Sequence, residues 1–163
     1  MTATLIDTNV LVYAYDRSEP KKQRRALEIL DGLAHTGDGR LSAQVLSEFF
    51  VNVTRKIALP LTIAQAGQRI GHYVRLWPVL AVSDAVVLEA IRGVRAYQFS
   101  FWDAQIWAAA RLNHISVVLT EDFNPGAVIE SVRFVDPFTD DFRLRDWGSV
   151  HPLSHKRPDV TQI

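Results

Sequence analysis

Thr4-Leu5-Ile6-Asp7-Thr8-Asn9-Val10-Leu11 is the stretch on which the reading of the fold turns. A short apolar run stops on a carboxylate, and Val10, Leu11, Tyr13 and Ala14 then recur at helical spacing. A strand that ends in Asp and turns into a helix places that acid at the carboxyl edge of a sheet. In open α/β sheets that edge is where ligands bind. The question is which other side chains reach it.

Pro20 opens a second helix, carrying Ala26, Leu27, Ile29, Leu30 and Leu33, and Gly37-Asp38-Gly39 ends it. Arg40-Leu41-Ser42 is a short strand, followed by a helix over about 43–57. Thr62, Ser83 and Ser100 each suit an N-cap, for helices reaching about Trp77, Gln98 and Asn113. Val79 to Val82, the β-branched run Ser116 to Thr120, and Val132 to Val135 are the remaining strand candidates, with a turn at Asn124-Pro125-Gly126. Short apolar strands alternating with amphipathic helices predict an α/β fold, a mainly parallel sheet with helices on both faces. Residues 1–138 read as one domain. Residues 139–163 show no periodicity and read as an irregular C-terminal extension.

At 163 residues the chain is long enough to bury roughly two-thirds of its unfolded surface. Hydrophobic residues make up 48% and charged residues 22%, which fits a globular protein rather than a disordered one. No apolar run is long enough to span a membrane, and Lys21 and Lys22 follow the first apolar segments, the wrong order for a signal peptide. With no Cys, thiolate chemistry and disulfides are excluded. A cytoplasmic protein without membrane contact is expected. The 18 basic and 18 acidic residues cancel, which argues against a strong global field. Local clusters remain, at Arg17 to Arg25 and around Arg92, Arg95 and Arg111, and ordinary solvated helix faces would account for them.

Four carboxylates sit at element ends. Asp7 has an ordinary use as an N-cap. Glu48 lies beside the apolar stripe Val45, Leu46, Phe49, Phe50 and Val53, on a polar line with Asn52 and Arg55 at i, i+4 and i+7. Asp103 closes Ser100-Phe101-Trp102-Asp103, which has the form of a capping box with Asp for Glu. Asp122 ends a second apolar strand and suits an Asx turn. Each has a structural explanation singly, yet all four can meet at one sheet edge. Crowded carboxylates repel, so protonation or a cation must relieve them. An oxygen-only site suits Mg²⁺ or Mn²⁺ rather than zinc.

Leu5-Ile6-Asp7-Thr8-Asn9, Ser47-Glu48-Phe49, Ser100-Phe101-Trp102-Asp103-Ala104 and Leu119-Thr120-Glu121-Asp122-Phe123 resemble the four acidic motifs of PIN-domain nucleases. Their spacing is most similar to VapC-type toxins of toxin–antitoxin modules, from about Thr4 to Phe138. The resemblance implies a three-layer α/β/α sandwich and a Mg²⁺- or Mn²⁺-dependent endoribonuclease using one or two ions. It makes Asp7, Glu48, Asp103 and Asp122 the acidic quartet, with Thr8 or Asn9 orienting Asp7 and Thr120 supporting the site. It also implies an antitoxin partner, an RNA substrate such as transfer RNA, and a homodimer. Arg17, Arg55 and Arg95 are candidates for flanking phosphates.

Other classes are weighed against this one. A haloacid-dehalogenase phosphatase needs a second Asp two residues after the first, where Asn9 stands. A receiver domain carries its phosphorylated Asp at the end of a later strand, whereas the segment Leu41 to Phe50 offers Glu48 within a helix. Of the five His residues only His151 and His155 are closely paired, in a proline-bounded tail, and none is assigned to the site. The rival from a different class is a catalytically weak PIN-like module acting through protein binding, with Trp102, Trp107, Tyr13, Tyr15, Phe49 and Phe50 lining a peptide groove. Core packing is the alternative for these aromatics.

Overall fold

Thr4, Leu5 and Ile6 are all buried. Successive strand residues point to opposite faces, so both faces of the sheet are covered there. The computed structural model describes residues 2–146. Its elements are β1 (Thr4–Ile6), α1 (Thr8–Tyr13), α2 (Pro20–Thr36), β2 (Gly39–Ser42), α3 (Ala43–Arg55), α4 (Ile63–Leu76), β3 (Val79–Leu80), α5 (Asp84–Tyr97), α6 (Phe101–Leu112), β4 (Val117–Leu119), β5 (Val128–Ile129) and β6 (Val132–Val135). Together they form a three-layer α/β/α sandwich.

The strand order is β3-β2-β1-β4-β6-β5. All pairings are parallel except β5 with β6. The chain moves outward from β1 through β2 to β3, then crosses back to place β4 on the other side of β1, with Leu5 opposite Val118. That reversal opens a crevice at the carboxyl ends of β1 and β4.

Local chemistry explains the helix limits. The expected caps Thr62, Ser83 and Ser100 each accept a backbone N–H from the first turn, and Thr62 pairs with Gln65 in a full capping box. Pro20 holds the first position of α2, and Gly37, at φ 73°, closes that helix in the left-handed conformation. An aromatic line runs through the core: Phe49 meets Tyr73 edge to face at 5.7 Å, and Tyr73 stacks on Trp77 at 5.8 Å. The helix expected over 43–57 ends at Arg55, and the Val79–Val82 run contributes only two residues to an edge strand.

Strand β5 is an addition to the sequence reading. It forms a hairpin with β6 through Glu130, a non-glycine residue at φ 53°. Such a conformation costs about 1 kcal/mol, and the Glu130 carboxylate offsets it. It receives Tyr97 and Arg92, at 2.6 and 2.8 Å, and also Arg111. These donors, Tyr97 first, hold Glu130 down to about 2, below its ordinary 4.5. A depressed carboxylate stabilises above its unfolded value, and that contribution disappears as pH falls through the folded value. Glu130→Gln is therefore expected to cost about 1 kcal/mol at pH 7, with the gap closing as pH approaches 2. Thermal melts of both proteins across that range check it; a pH-independent gap would refute the ion-pair origin.

Residues 139–146 pack onto the sandwich through buried Phe142, and the Leu144 side chain fills the space over Gly32. The remainder of the expected extension, with His151 and His155, lies outside the described residues. Among the described residues no helix is long and apolar enough to cross a membrane.

Candidate active site

Asp7 leaves β1 and caps α1. It is 6% exposed. Its Oδ1 accepts the Thr8 N–H at 2.7 Å and its Oδ2 accepts the Thr120 hydroxyl at 2.7 Å. Capping and membership of the acid cluster therefore belong to the same carboxylate. Thr120, just past β4, is the hub on the other side. Its oxygen also accepts the Asp122 N–H at 3.1 Å and the Asn9 amide at 3.3 Å. Asn9 donates again to Asp122 Oδ2 at 3.1 Å. Of the two residues expected to orient Asp7, Thr8 does so through its backbone, while Asn9 orients Asp122.

Glu48 projects from α3 with both oxygens held. Oε2 accepts the Thr8 hydroxyl at 2.8 Å, and Oε1 accepts the Gln44 amide at 2.7 Å. Gln44 is in turn fixed by Gln105 of α6, whose amide donates to its oxygen at 2.7 Å, and by the Trp102 carbonyl, which accepts from it at 3.1 Å. Both glutamines are buried. Sequence reasoning missed them; the available signal was Gln44 one turn before Glu48 on the same helix. Asp103 lies in the first turn of α6 and accepts the Ser100 hydroxyl at 2.7 Å. The expected box closes through that hydroxyl rather than through the Ser100 backbone.

Asp7, Glu48, Asp103 and Asp122 line one cavity of about 300 Å³ at the switch point. A second, wider cavity of about 680 Å³ adjoins it and shares Gln44, Glu48, Asn52, Lys56 and Trp102 with it. Burial is the main force on Asp7. It pushes the carboxyl from 3.8 up to about 6, against the hydrogen bonds from Thr120 and Thr8, and the charges of Asp122 and Glu48 add to the rise. Asp122 is raised too, again chiefly by burial and against the Asn9 hydrogen bond. These four carboxylates share this cavity with one basic side chain, Lys56.

The donor set is suited to a hard divalent cation: every carboxylate is an oxygen donor, and the buried Asn9 Oδ1 accepts no hydrogen bond among the described residues. Among the described residues no three His, Asp or Glu side chains stand close enough to hold a metal ion between them. An open arrangement is what Mg²⁺ tolerates, because it keeps several waters and binds through one or two carboxylates plus substrate phosphates.

Arg17, Arg55 and Arg95 are exposed and do not line the acid cavity. The basic side chain on its wall is Lys56. The cavity follows the row of residues four apart on α3, Gln44, Glu48 and Asn52, on to Lys56 at its C-cap; the i+7 position of Arg55 lies off that row. Arg92 and Arg111 are occupied by Glu89 and Glu130. Lys22 is likewise engaged, by Glu121 at 2.7 Å and by Tyr13 at 3.0 Å, tying α2 to α1 and to the loop that carries Asp122. Of the aromatics proposed for a peptide groove, Trp107 and Phe49 are fully buried, and Tyr13, Tyr15 and Phe50 pack against the core. Trp102 alone of these is 62% exposed.

A mainly parallel sheet with these four carboxylates lining one cavity at its switch point places the chain among α/β proteins whose ligands bind at the carboxyl ends of the strands. Residues 4–128 match the PIN domain family model, and the chain belongs to the PIN-domain family. No curated protein matches. Among solved structures, the chain is similar to a toxin–antitoxin complex from Klebsiella pneumoniae, at 20% identity and a TM-score of 0.61, covering 83% of this chain and 98% of that one. It is also similar to Mycobacterium tuberculosis VapC20, a toxin that cleaves the sarcin–ricin loop, at 17% identity and a TM-score of 0.56, covering 80% and 99%. A third, DNA-bound VapBC from Salmonella typhimurium, has 17% identity and a TM-score of 0.58, covering 84% and 99%.

Proposed function

We propose that this chain is a Mg²⁺- or Mn²⁺-dependent endoribonuclease and the toxin of a toxin–antitoxin pair. The observation that carries the reading is the convergence of four carboxylates, from β1, α3, α6 and the β4 loop, on one cavity. A scissile phosphodiester meets repulsion from such a wall, and a bound cation offsets it. Asp7 and Asp103 would hold the cation most directly, with Glu48 and Asp122 completing the site. When bound, a divalent ion makes its water a better nucleophile and offsets charge growing on the phosphate oxygens.

The chain's own residues then position and exchange protons. Thr120 fixes Asp7 and, through Asp122's backbone and Asn9, the opposite carboxylate as well. Thr8 and Gln44 hold Glu48 from two sides, leaving a lone pair on each oxygen for the proton of the attacking water. Partners in this reading are an antitoxin protein, supported by the toxin–antitoxin assemblies among the similar folds, and a second copy of the chain. RNA cleavage by the purified chain should appear with Mg²⁺, rise with Mn²⁺ and fall to background in EDTA. Equal cleavage in excess EDTA rules the metal mechanism out.

A further inference from the structure

A large aromatic held in water beside an acid cavity needs an explanation. Trp102 is 62% exposed, although its neighbours Phe101 and Ala104 pack inward. It lines both the acid cavity and the wider one beside it. Its backbone is fixed, because its carbonyl accepts the buried Gln44 amide. Lys56 lies on the wall shared by the two cavities, and its ammonium has no hydrogen bond or ion pair among the described residues. The Asn52 amide, between Glu48 and Lys56 on the same row, is equally free of side-chain partners among the described residues.

We propose that Trp102, Lys56 and Asn52 form a nucleotide subsite: an unpaired base flanking the scissile phosphate stacks on the Trp102 indole, and Lys56 holds the adjoining phosphate. This deepens the ribonuclease reading and rests on it. A flat aromatic and a cation lining one cavity are what single-stranded nucleic acid uses, stacking for the base and charge for the backbone. Asn52 offers a donor and an acceptor to the base edge. An amphipathic helix would instead need several apolar anchors spaced a turn apart. Here the large apolar side chains on the wider cavity are Trp102, half-exposed Val51 and Val82, and Val82 is partly buried against the core. The subsite selects for RNA whose bases are unstacked near the cut, such as a loop.

The test is binding of the full chain, in EDTA so that RNA stays intact, to a labelled single-stranded oligoribonucleotide, followed by anisotropy over a salt series. Trp102→Ala should weaken binding about tenfold without changing the salt slope, and Trp102→Tyr should restore most of it. Lys56→Ala should reduce the slope by about 0.7, the loss of one phosphate contact. Equal affinity of Trp102→Ala and wild type overturns the subsite, as does failure of the Tyr variant to recover. If Trp102→Ala instead loses an amphipathic helical peptide and keeps RNA, the cavity is a protein dock and the proposal falls. Trp102-dependent RNA binding with no cleavage on adding Mg²⁺ supports the subsite and removes the nuclease reading. Mg²⁺-dependent cleavage that Trp102→Ala leaves unchanged does the reverse.

Discussion

Asp7→Asn should cut RNA cleavage by about 10³-fold, about 4 kcal/mol of transition-state stabilisation, while making the metal-free chain more stable. Both effects have the same cause. Asn is as good an N-cap as Asp, so α1 keeps its start. Its amide, however, removes a charge that the cavity holds at a cost. Burial raises the Asp7 carboxyl from 3.8 to about 6. The folded chain thus binds this proton more tightly than the unfolded one. The resulting stabilisation is full below about 3.8 and is lost as pH rises through about 6. At pH 7 the ionised Asp7 opposes folding. The gain on replacing it is limited to about 1 kcal/mol, because the new amide nitrogen meets the Thr120 hydroxyl, which already accepts two donors. A rise of roughly 2–4 °C in the thermal midpoint follows. Melts in EDTA at pH 4 and pH 7 read the sign directly, since the advantage should vanish at the lower pH. Added Mg²⁺ should stabilise the wild type and leave the variant unmoved. A variant less stable than wild type at pH 7, or one that still cleaves, contradicts the account.

Gly39→Ala should cost about 3 kcal/mol, the upper part of the range for overpacking. On β2, Gly39 pairs with Thr4, and the Trp77 indole lies against it. A Cβ there would fall 2.5–2.8 Å from three indole atoms. Trp77 has no room to retreat: it is 2% exposed, stacked on Tyr73, and donates to the Leu33 carbonyl at 3.4 Å. Gly67 provides the control. It sits on the exposed side of α4, where an added methyl would meet nothing within 4 Å, so Gly67→Ala should gain about 0.5–1 kcal/mol. Opposite signs in urea melts are the expected result, and a Gly39→Ala protein as stable as wild type would show that Trp77 yields.

Strand, acid and helix at Thr4–Leu11 are legible because each step changes the periodicity of the chain. Glu48 stands out because it borders a clear apolar stripe, and the helix starts are marked by Thr62, Ser83 and Ser100. What escapes the sequence depends on distance in space. Nothing near Gln105 points to Gln44, 61 positions away. The β5–β6 hairpin lacks the glycine or asparagine that announces such turns, and Glu130 takes the strained position because Arg92, Arg111 and Tyr97 arrive from α5 and α6. Sequence reading names Arg55 and passes over Lys56, which lines the cavity, because one residue decides which row of the helix a side chain joins.

The site is half fixture and half clasp. Asp7 and Asp122 follow the ends of neighbouring parallel strands, joined by the Asp7 N–H to Leu119 carbonyl bond at 3.0 Å and by the Thr120 hydroxyl. Any twist of the sheet carries them together, so their separation is insulated from motion elsewhere. Glu48 and Asp103 hang from two helices instead, coupled to each other by the two glutamine amides and the Trp102 carbonyl. Adaptation to a new substrate therefore has an obvious seam to follow: the helical jaw can be retuned through α3 and α6 while the strand-borne jaw keeps its gauge.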